Sequence, residues 1–547
     1  MMIHFQRIRW LAPVLALFAA QAQADAITDW NQKAGELIAD AKLGTPPAVR
    51  VMAVVQTAAH DAVQGAQRRK PSDPAAVDAA IAAANRATLV KLLPAQEAGI
   101  AAAYQAALAK IADGPARAAG IAAGEEAAAA VLAARAGDSV SAPDSFRPRA
   151  VPGGYVPTAA VAASQWPQRK PWLMSGAAQF RPIAPPALTS ARWARDYNEI
   201  KALGGKDGSQ RNAEQTDIAR FWEYSLPAIY HGVVRSVALA PGRDVARNAR
   251  LYAAVAQAMD DAMIAVFDAK YHYNFWRPVT AIRNGDADGN PATAPEATWA
   301  SFIDTPMHPE YPSAHSILAS SVGTLLQAEV GAAVMPELST ASPTAKGATR
   351  RWKKVEDFIQ EVGDARIYDG VHFRFSTEVG TAMGRQIGEL AAARHQLAVV
   401  PVQVELQPKE TPRFVERVSA RGVQVYECRS GGAAAPGWVF VAPEALLYDA
   451  RGDEVGKHDA GPHWAAADGS RIVGQVQARA EAPVGGAIPW LLLQARSVGT
   501  EGRFADVTSV QRVNTLGGTA PARGCDTASL GATARVPYTA DYVLFAS

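Results

Sequence analysis

Cysteine is scarce in this chain of 547 residues, which contains only Cys428 and Cys525. No Cys/His spacing typical of a zinc site is present, which argues against that class of metal centre. Both cysteines lie in the last quarter of the chain. We predict that they form a disulfide if the protein is exported, with two unpaired buried thiols as the alternative. Closing so long a loop would stabilise the folded domain by roughly 4 to 5 kcal/mol.

An excess of charge of either sign is also lacking. Lysine and arginine number 54 against 52 aspartates and glutamates, so the formal net charge is only +2. This balance gives no electrostatic footprint for nucleic acid or for an anionic membrane surface, and we expect neither as a partner. A Walker-type phosphate loop and a Gly-x-Ser-x-Gly nucleophile elbow are absent too. Any anion site must therefore be built locally from a few cations.

Long apolar runs are missing, and no stretch reaches the ~18 to 20 residues that a transmembrane helix needs. The apolar run "WLAPVLALFAA" follows two arginines and precedes the small residues "AQA". This order is typical of a secretory signal peptide. We therefore predict that residues 1–24 are a signal peptide, that the mature chain begins at Asp25, and that the protein is periplasmic or secreted.

The composition is that of a globular protein, because 49% of the residues are hydrophobic and 43 glycines and 36 prolines punctuate the chain. Its length suggests two or three domains. Alanine-rich helical spacing runs from about 26 to 136, a Pro/Gly-rich loop follows at about 137–186, and helices resume from about 191 to 393. We predict a mainly α domain over residues 25–400.

The pattern changes after a predicted linker at 401–415. Segments such as "GVQVYEC" and "WVFVAPEALLYD" alternate apolar and polar residues and are separated by turns rich in Gly and Asp. Alternation with a period of two is typical of antiparallel strands. We predict a smaller antiparallel β domain over residues 416–547, so that the fold class is mainly α followed by a β-rich domain.

Two segments of the helical part carry groups that bind anions. The stretch "KYHYNFWRP" places Lys270 and Arg277 seven positions apart. About 35 residues later, "HPEYPSAHS" contains Ser313, which can cap a helix that continues through Ala314 and His315. Free backbone amides and the positive end of the helix dipole at such a start form a cradle for an anion.

A third segment, "ARIYDGVHFRFS", places Arg366 six positions before His372. Each of these residues alone would be read as a solvated cation or as a core histidine. Taken together and in order, two guanidiniums, one ammonium, a hydroxyl, amides and two imidazoles suffice to neutralise a tetrahedral oxyanion with a charge of two or three. We therefore predict that the three segments meet in one pocket.

The order Lys-x6-Arg-Pro, Pro-Ser-x-His and Arg-x5-His, spanning about Asp261 to Gly384, resembles the three-part signature of the vanadium-dependent haloperoxidase and type 2 phosphatidic acid phosphatase superfamily. The resemblance implies a fold of stacked helical bundles and vanadate as the cofactor. It implies His372 as the ligand of vanadium, and His315 and Lys270 as further catalytic residues. The oxyanion-binding set implied by the resemblance is Lys270, Arg277, Ser313, the amide of Ala314, Arg366 and His372.

Two positions depart from the family pattern. Ala314 stands where the family commonly has glycine, which leaves the backbone N–H in place. Ser376 stands four residues after His372, where the family often has an aspartate that orients the imidazole. Asp369 and Glu378 are the nearby carboxylates that we consider as substitutes.

Four other histidines also lie in conspicuous stretches. His272 and His308 are close in sequence to the anion-binding segments, and we expect surface or packing roles for both. His458 and His463 lie in "HDAGPHWAAADGS", which with "RGVQVYEC" resembles a secreted bacterial and fungal domain of unknown function over about 422–545. Turn and core roles are as plausible for them as a binding site.

The resemblance implies a haloperoxidase that oxidises chloride or bromide with hydrogen peroxide to hypohalous acid, with Lys270 polarising the peroxide. The alternative is an acid phosphatase with His372 as nucleophile and His315 as general acid and then base, which needs no vanadate. A non-catalytic secreted binding protein is a third hypothesis. The small-molecule substrates would be peroxide and halide or a phosphate ester, and the long N-terminal helical region favours the first activity. The sequence does not determine the oligomeric state.

Overall fold

A computed structural model describes residues 25–546 apart from gaps at 71–72, 139–144, 158, 331–333, 396, 398–405, 409–412, 432–433, 450–453 and 483–485. The predicted signal peptide and most of the predicted linker lie outside the described residues. Helices precede a separate β-rich region within the described part of the chain, which confirms the predicted fold class.

The first group of helices packs around alanine-rich surfaces. An aspartate cap begins its first helix, because the Asp25 side chain accepts a hydrogen bond from the backbone N–H of Thr28 at 2.9 Å. Two glycines allow the third and fifth helices to touch: a Cβ at Gly120 would lie 2.2 Å from the carbonyl oxygen of Ala76, and Gly124 is equally close to Ala80. The helices are α1 (Ala26–Asp40), α2 (Thr45–Arg69), α3 (Pro74–Leu92), α4 (Glu97–Leu108) and α5 (Pro115–Ala134).

The second group of helices carries the three predicted anion-binding segments. Its longest member, α9, spans 29 residues and is buried along most of its length. A hairpin of two five-residue strands, β1 (Leu338–Ser342) and β2 (Ala348–Trp352), interrupts the stretch that we predicted as helical. The helices are α6 (Ala191–Leu203), α7 (Ala213–Trp222), α8 (Pro227–Ala238), α9 (Val245–Tyr273), α10 (Pro278–Arg283), α11 (Ala314–Val330), α12 (Val355–Tyr368) and α13 (Arg374–Arg394).

The Pro/Gly-rich segment contains one short 3-10 helix, Trp166–Gln168, among its described residues. Buried polar contacts fix it to α9. Arg169 donates to Asp260 at 2.6 Å, and the Asp261 carboxylate accepts backbone N–H groups from residues 172 to 174 at 2.7 to 2.9 Å. Burial raises the pKa of Asp261 to about 7, against the opposing effect of those hydrogen bonds.

Glycines bring α11 and α13 into direct backbone contact. A Cβ at Gly384 would lie 2.2 Å from the carbonyl oxygen of Ile317, and Gly380 and Gly388 make similarly close approaches to α11. The first turns of the two helices therefore lie side by side, and the Ser313 amide donates to the Ser376 carbonyl at 3.1 Å. This packing places the start of α11 next to the residues that precede α13.

The last eight strands form a closed antiparallel barrel in which each strand pairs with its neighbours in the sequence and the last strand pairs with the first. Cys428 and Cys525 form a disulfide with their Cα atoms 5.4 Å apart, which confirms the predicted pairing. His458 is buried and stacks on Trp464 at 4.4 Å, so it belongs to the barrel core. The strands are β3 (Arg413–Gly431), β4 (Ala434–Tyr448), β5 (Glu454–Asp459), β6 (His463–Ala466), β7 (Arg471–Ala480), β8 (Trp490–Ser497), β9 (Ser509–Gly517) and β10 (Thr533–Ala546).

The barrel contacts the helical part through α13. Asp541 of β10 accepts hydrogen bonds from Ser419 at 2.8 Å and from Gln386 of α13 at 3.2 Å. One turn further along α13, Glu389 forms an ion pair with Arg417 of β3. The barrel thus packs on the helix whose first residue follows His372 by two positions.

Candidate active site

Three cations are buried together where the predicted segments meet. The exposed fractions of Lys270, Arg277 and Arg366 are 0%, 1% and 2%. Lysine and arginine are almost never fully buried unless they are paired with a negative charge. Such burial indicates a site built for negative charge.

Arg277 connects the first and third segments directly. As the residue before α10, it donates from Nη1 to the carbonyl of Val371 at 2.8 Å, and the same nitrogen lies 3.4 Å from Nε2 of His372. Its Nη2 contacts Nδ1 of His308 at 2.9 Å. His308 does pack on an aromatic ring, that of Phe267 at 5.1 Å, but it is also a partner of Arg277, which the sequence did not indicate.

Lys270 forms hydrogen bonds with the segment 309–312, which leads to α11. Its Nζ donates to the carbonyls of Pro309, Glu310 and Pro312 at 3.1, 2.8 and 2.5 Å, which occupies all three ammonium hydrogens. Burial and the charge of Arg277 lower the pKa of Lys270 well below its usual value. In this structure Lys270 therefore shapes the cradle, and an anion that contacts Nζ has to replace one of these carbonyls.

A carboxylate holds His372 in one tautomer. Nδ1 of His372 lies 2.8 Å from Oε1 of Glu310, which also accepts the backbone N–H of Phe373 at 3.0 Å. The Nδ1–H donates to the carboxylate, so Nε2 carries the lone pair and faces Arg277. Burial raises the pKa of Glu310 to about 7, although Arg277 and Lys270 oppose that rise.

Glu310 is the orienting residue that sequence reasoning missed. Asp369 instead pairs with Arg366 at 2.5 Å, and Glu378 pairs with Arg192 at 2.7 Å, so neither substitutes for the missing aspartate. Ser376 lies 3.4 Å from Nδ1 of His372, which is too far for a strong bond. A signal was present in the sequence, since the only acidic residue of "HPEYPSAHS" lies among groups that otherwise favour anions.

The second segment supplies donors at the start of α11. Ser313 is fully buried and accepts the backbone N–H of Ser316 at 3.3 Å, as a helix-capping residue does. Ala314 is the first residue of α11, and its amide N–H therefore has no acceptor within the helix. Burial and the charges of Arg366 and Lys270 lower the pKa of His315 well below its usual value.

Unpartnered polar atoms and buried positive charge suit an oxyanion. Nε of Arg366 and Nε2 of His315 are buried and have no hydrogen-bond partner among the described residues. Burial also lowers the pKa of Arg277 to about 10. Glu310 supplies negative charge near Arg277 and Lys270, and Asp369 does so beside Arg366. No group of three His, Cys, Asp or Glu that could hold a metal ion occurs in the described part of the chain. The donor set thus fits a tetrahedral oxyanion with one imidazole ligand rather than a bare cation.

The helical part of the chain, which carries this buried cation site, is similar to vanadium haloperoxidases. Residues 250–400 match the family model of the VCPO second helical-bundle domain, and residues 408–546 match that of a protein of unknown function, DUF3455. The helical region therefore has the expected family likeness, and the β-rich region is the expected fused domain.

A relative with an established name resembles part of the chain. The vanadium chloroperoxidase of Curvularia inaequalis is 28% identical in an alignment of 171 residues that covers 25% of this chain and 28% of that protein. The chain thus matches little more than a quarter of that relative's length.

Solved structures share the fold over a longer stretch. The crystal structure of the first bacterial vanadium-dependent iodoperoxidase aligns with a TM-score of 0.56 at 22% identity, covering 69% of this chain and 97% of that one. A holo-type bacterial vanadium-dependent chloroperoxidase aligns with a TM-score of 0.54 at 18% identity, covering 65% and 93%.

Proposed function

We propose that this protein is an exported vanadate-dependent haloperoxidase that oxidises halide with hydrogen peroxide to hypohalous acid. The net reaction consumes peroxide, halide and one proton and yields hypohalous acid and water. The observation that carries the proposal is the lone pair on Nε2 of His372, which Glu310 directs into a cluster of three buried cations. The names of the relatives support peroxidase chemistry for this fold.

Each residue of the site has a distinct task in this proposal. His372 would hold vanadate through Nε2, and Arg277 and Arg366 would neutralise its oxygens together with Ser313 and the amide of Ala314. When bound, vanadate supplies a Lewis acid that activates peroxide without changing its oxidation state.

Protons move at the residues beside the anion. The neutral imidazole of His315 can accept or donate a proton at Nε2, the atom that has no partner among the described groups. Lys270 keeps the carbonyls of 309, 310 and 312 in place, and an N–H that donated to a bound oxyanion would have to give up one of these three carbonyls.

Phosphomonoester hydrolysis is the second candidate, favoured by the same tautomer. An imidazole whose Nδ1–H is held by a carboxylate presents Nε2 as a nucleophile, and this arrangement suits formation of a phosphohistidine. His315 would then protonate the leaving group and later activate water.

One pair of assays separates the two activities. Purified protein is tested for halide-dependent formation of hypohalous acid from peroxide, with and without added vanadate, and for hydrolysis of 4-nitrophenyl phosphate. We expect oxidation that requires vanadate, and no activity in His372→Ala. Hydrolysis of the ester without vanadate, combined with no halide oxidation, would favour the phosphatase.

Export is part of the proposal and rests on different observations. The Cys428–Cys525 disulfide is typical of an oxidising compartment. No helix in the described part of the chain is long and apolar enough to cross a membrane. Sequencing the N-terminus of the protein recovered from the periplasm or medium should give Asp25, whereas an intact Met1 on the mature protein would contradict removal of residues 1–24.

A further inference from the structure

A cavity of about 430 Å³ opens beside the C-terminal end of α9. One wall is the helix end, with Tyr271, His272 and Asn274, and the opposite wall is the Pro/Gly-rich segment, with Phe146 and Arg149. A volume of this size accommodates a small organic molecule and exceeds what peroxide or a halide ion needs. The proposed reaction gives no role to this cavity.

The cavity combines an aromatic surface with two exposed arginines. Phe146 and Tyr271 contact edge to face with ring centroids 5.4 Å apart. Arg147 and Arg149 are exposed, and neither forms an ion pair with another described residue. Asp268 lies about one turn before this helix end, and its carboxylate accepts a bidentate pair of hydrogen bonds from Arg181 at 2.7 and 2.8 Å. The cavity therefore attracts a ring that carries a negative group.

Side-chain contacts connect the cavity with the oxyanion site. The Tyr271 ring stacks on Phe267 at 6.2 Å, and Phe267 packs against His308, which contacts Arg277 at 2.9 Å. The cavity wall and the buried cation are thus separated by two side chains.

Backbone hydrogen bonds fix the two walls relative to each other. The amide of Tyr155 donates to the carbonyl of Asn274 at 2.8 Å, and the amide of Trp276 donates to Gly153 at 2.9 Å. The Pro/Gly-rich segment is therefore attached to the stretch that runs between Lys270 and Arg277. A molecule in the cavity would be held at a fixed position relative to the oxyanion site.

We propose that this cavity binds the organic co-substrate and that the co-substrate is an aromatic anion, such as an aryl carboxylate. Its ring lies against Phe146 and Tyr271, and its carboxylate faces Arg147 and Arg149. The role of this molecule as a co-substrate rests on the proposed function. The hypohalous acid would transfer its halogen to a ring carbon, and the ring would lose a proton, which leaves with the hydroxide as water.

Calorimetric titration of the full chain with 4-hydroxybenzoate tests the binding, with 4-hydroxybenzyl alcohol as the neutral analogue. No peroxide or halide is present, so the result is independent of the proposed activity. We expect Arg147→Gln and Arg149→Gln each to weaken benzoate binding about 3- to 10-fold, and the double variant more than 10-fold. Affinity for the alcohol should change less than about 2-fold, and Arg479→Gln, an exposed arginine of the barrel, serves as the matched control.

Repeating the titration with saturating orthovanadate locates the ligand. 4-Hydroxybenzoate should bind with the same affinity as without vanadate, because the cavity and the oxyanion site are separate. Displacement by vanadate would place the ligand in the buried site and overturn the proposal. Absent benzoate binding, equal affinity for the two analogues, or unchanged affinity in the double variant would overturn it as well. A protein that binds benzoate as expected but oxidises no halide would contradict the proposed function alone.

Discussion

At the scale of single residues, the site depends on a contact between two segments that are 62 residues apart, Glu310 and His372. Motif spacing indicated the buried cations and the residues at the start of α11 because each lies in a short recognisable pattern. It did not indicate Glu310, because the expected orienting carboxylate follows the histidine by four positions and here the carboxylate comes from another segment. Such a replacement is visible only once the chain is folded.

Replacing Glu310 by Gln should lower vanadate affinity about 10- to 100-fold, because the amide no longer fixes the Nδ1–H tautomer of His372 as a carboxylate does. Equilibrium dialysis measures the change directly. Glu378→Gln makes the same substitution at a residue that pairs with Arg192, outside the cradle. An equal loss in both variants, or none in Glu310→Gln, would contradict the role given to Glu310.

His231 gives a pH dependence outside the site. It is fully buried, Asn31 contacts its Nδ1 at 2.8 Å, and burial lowers its pKa to about 3. Because the unfolded chain binds this proton near pH 6.5, the free energy of unfolding should fall as pH drops from about 6.5 to about 3. The difference between wild type and His231→Gln in chemical denaturation should show this slope. A difference that stays constant over that range would refute it, and His463→Gln, at a half-buried histidine of the barrel, is the control.

At the scale of elements, close packing of α11 and α13 aligns their first turns. Gly384→Ala puts a Cβ against the carbonyl of Ile317, and should destabilise the protein by about 1 to 3 kcal/mol even though alanine favours helix. Vanadate affinity should fall as well, because His372 shifts with the start of α13. Gly99→Ala, an exposed helical glycine with only ordinary contacts, should be neutral or stabilising in thermal unfolding. Equal melting temperatures for both variants would contradict this packing argument.

Element type was predictable wherever the periodicity extends over many residues. The alanine-rich helices and the alternating strands of the barrel follow their patterns. The hairpin of β1 and β2 was not predictable from the sequence, because its strands have five residues each and lie inside a helical region. Tertiary contacts decide the conformation there. One such contact joins Thr340 Oγ1 to the carbonyl of Ile229 at 2.8 Å.

At the scale of the whole molecule, the disulfide stabilises a barrel that packs on α13. Cys428→Ala with Cys525→Ala should lower the stability of the barrel by roughly 4 to 5 kcal/mol, because the unfolded chain regains the freedom of a long loop. Denaturant unfolding followed by the barrel tryptophans measures this, and vanadate affinity in native buffer reports on the helical site separately. Thiols that react in the unreduced, denatured wild type would contradict the disulfide.

The central claim is that His372 and the buried cations bind a tetrahedral oxyanion in one site, and equilibrium dialysis against orthovanadate tests it most directly. We predict that His372→Ala still binds vanadate weakly through the three cations, Ser313 and the amide of Ala314, and loses all activity. His315→Ala should retain more of the affinity, while turnover falls by about 10² to 10⁴. Loss of the anion in His315→Ala with full affinity in His372→Ala would contradict the account.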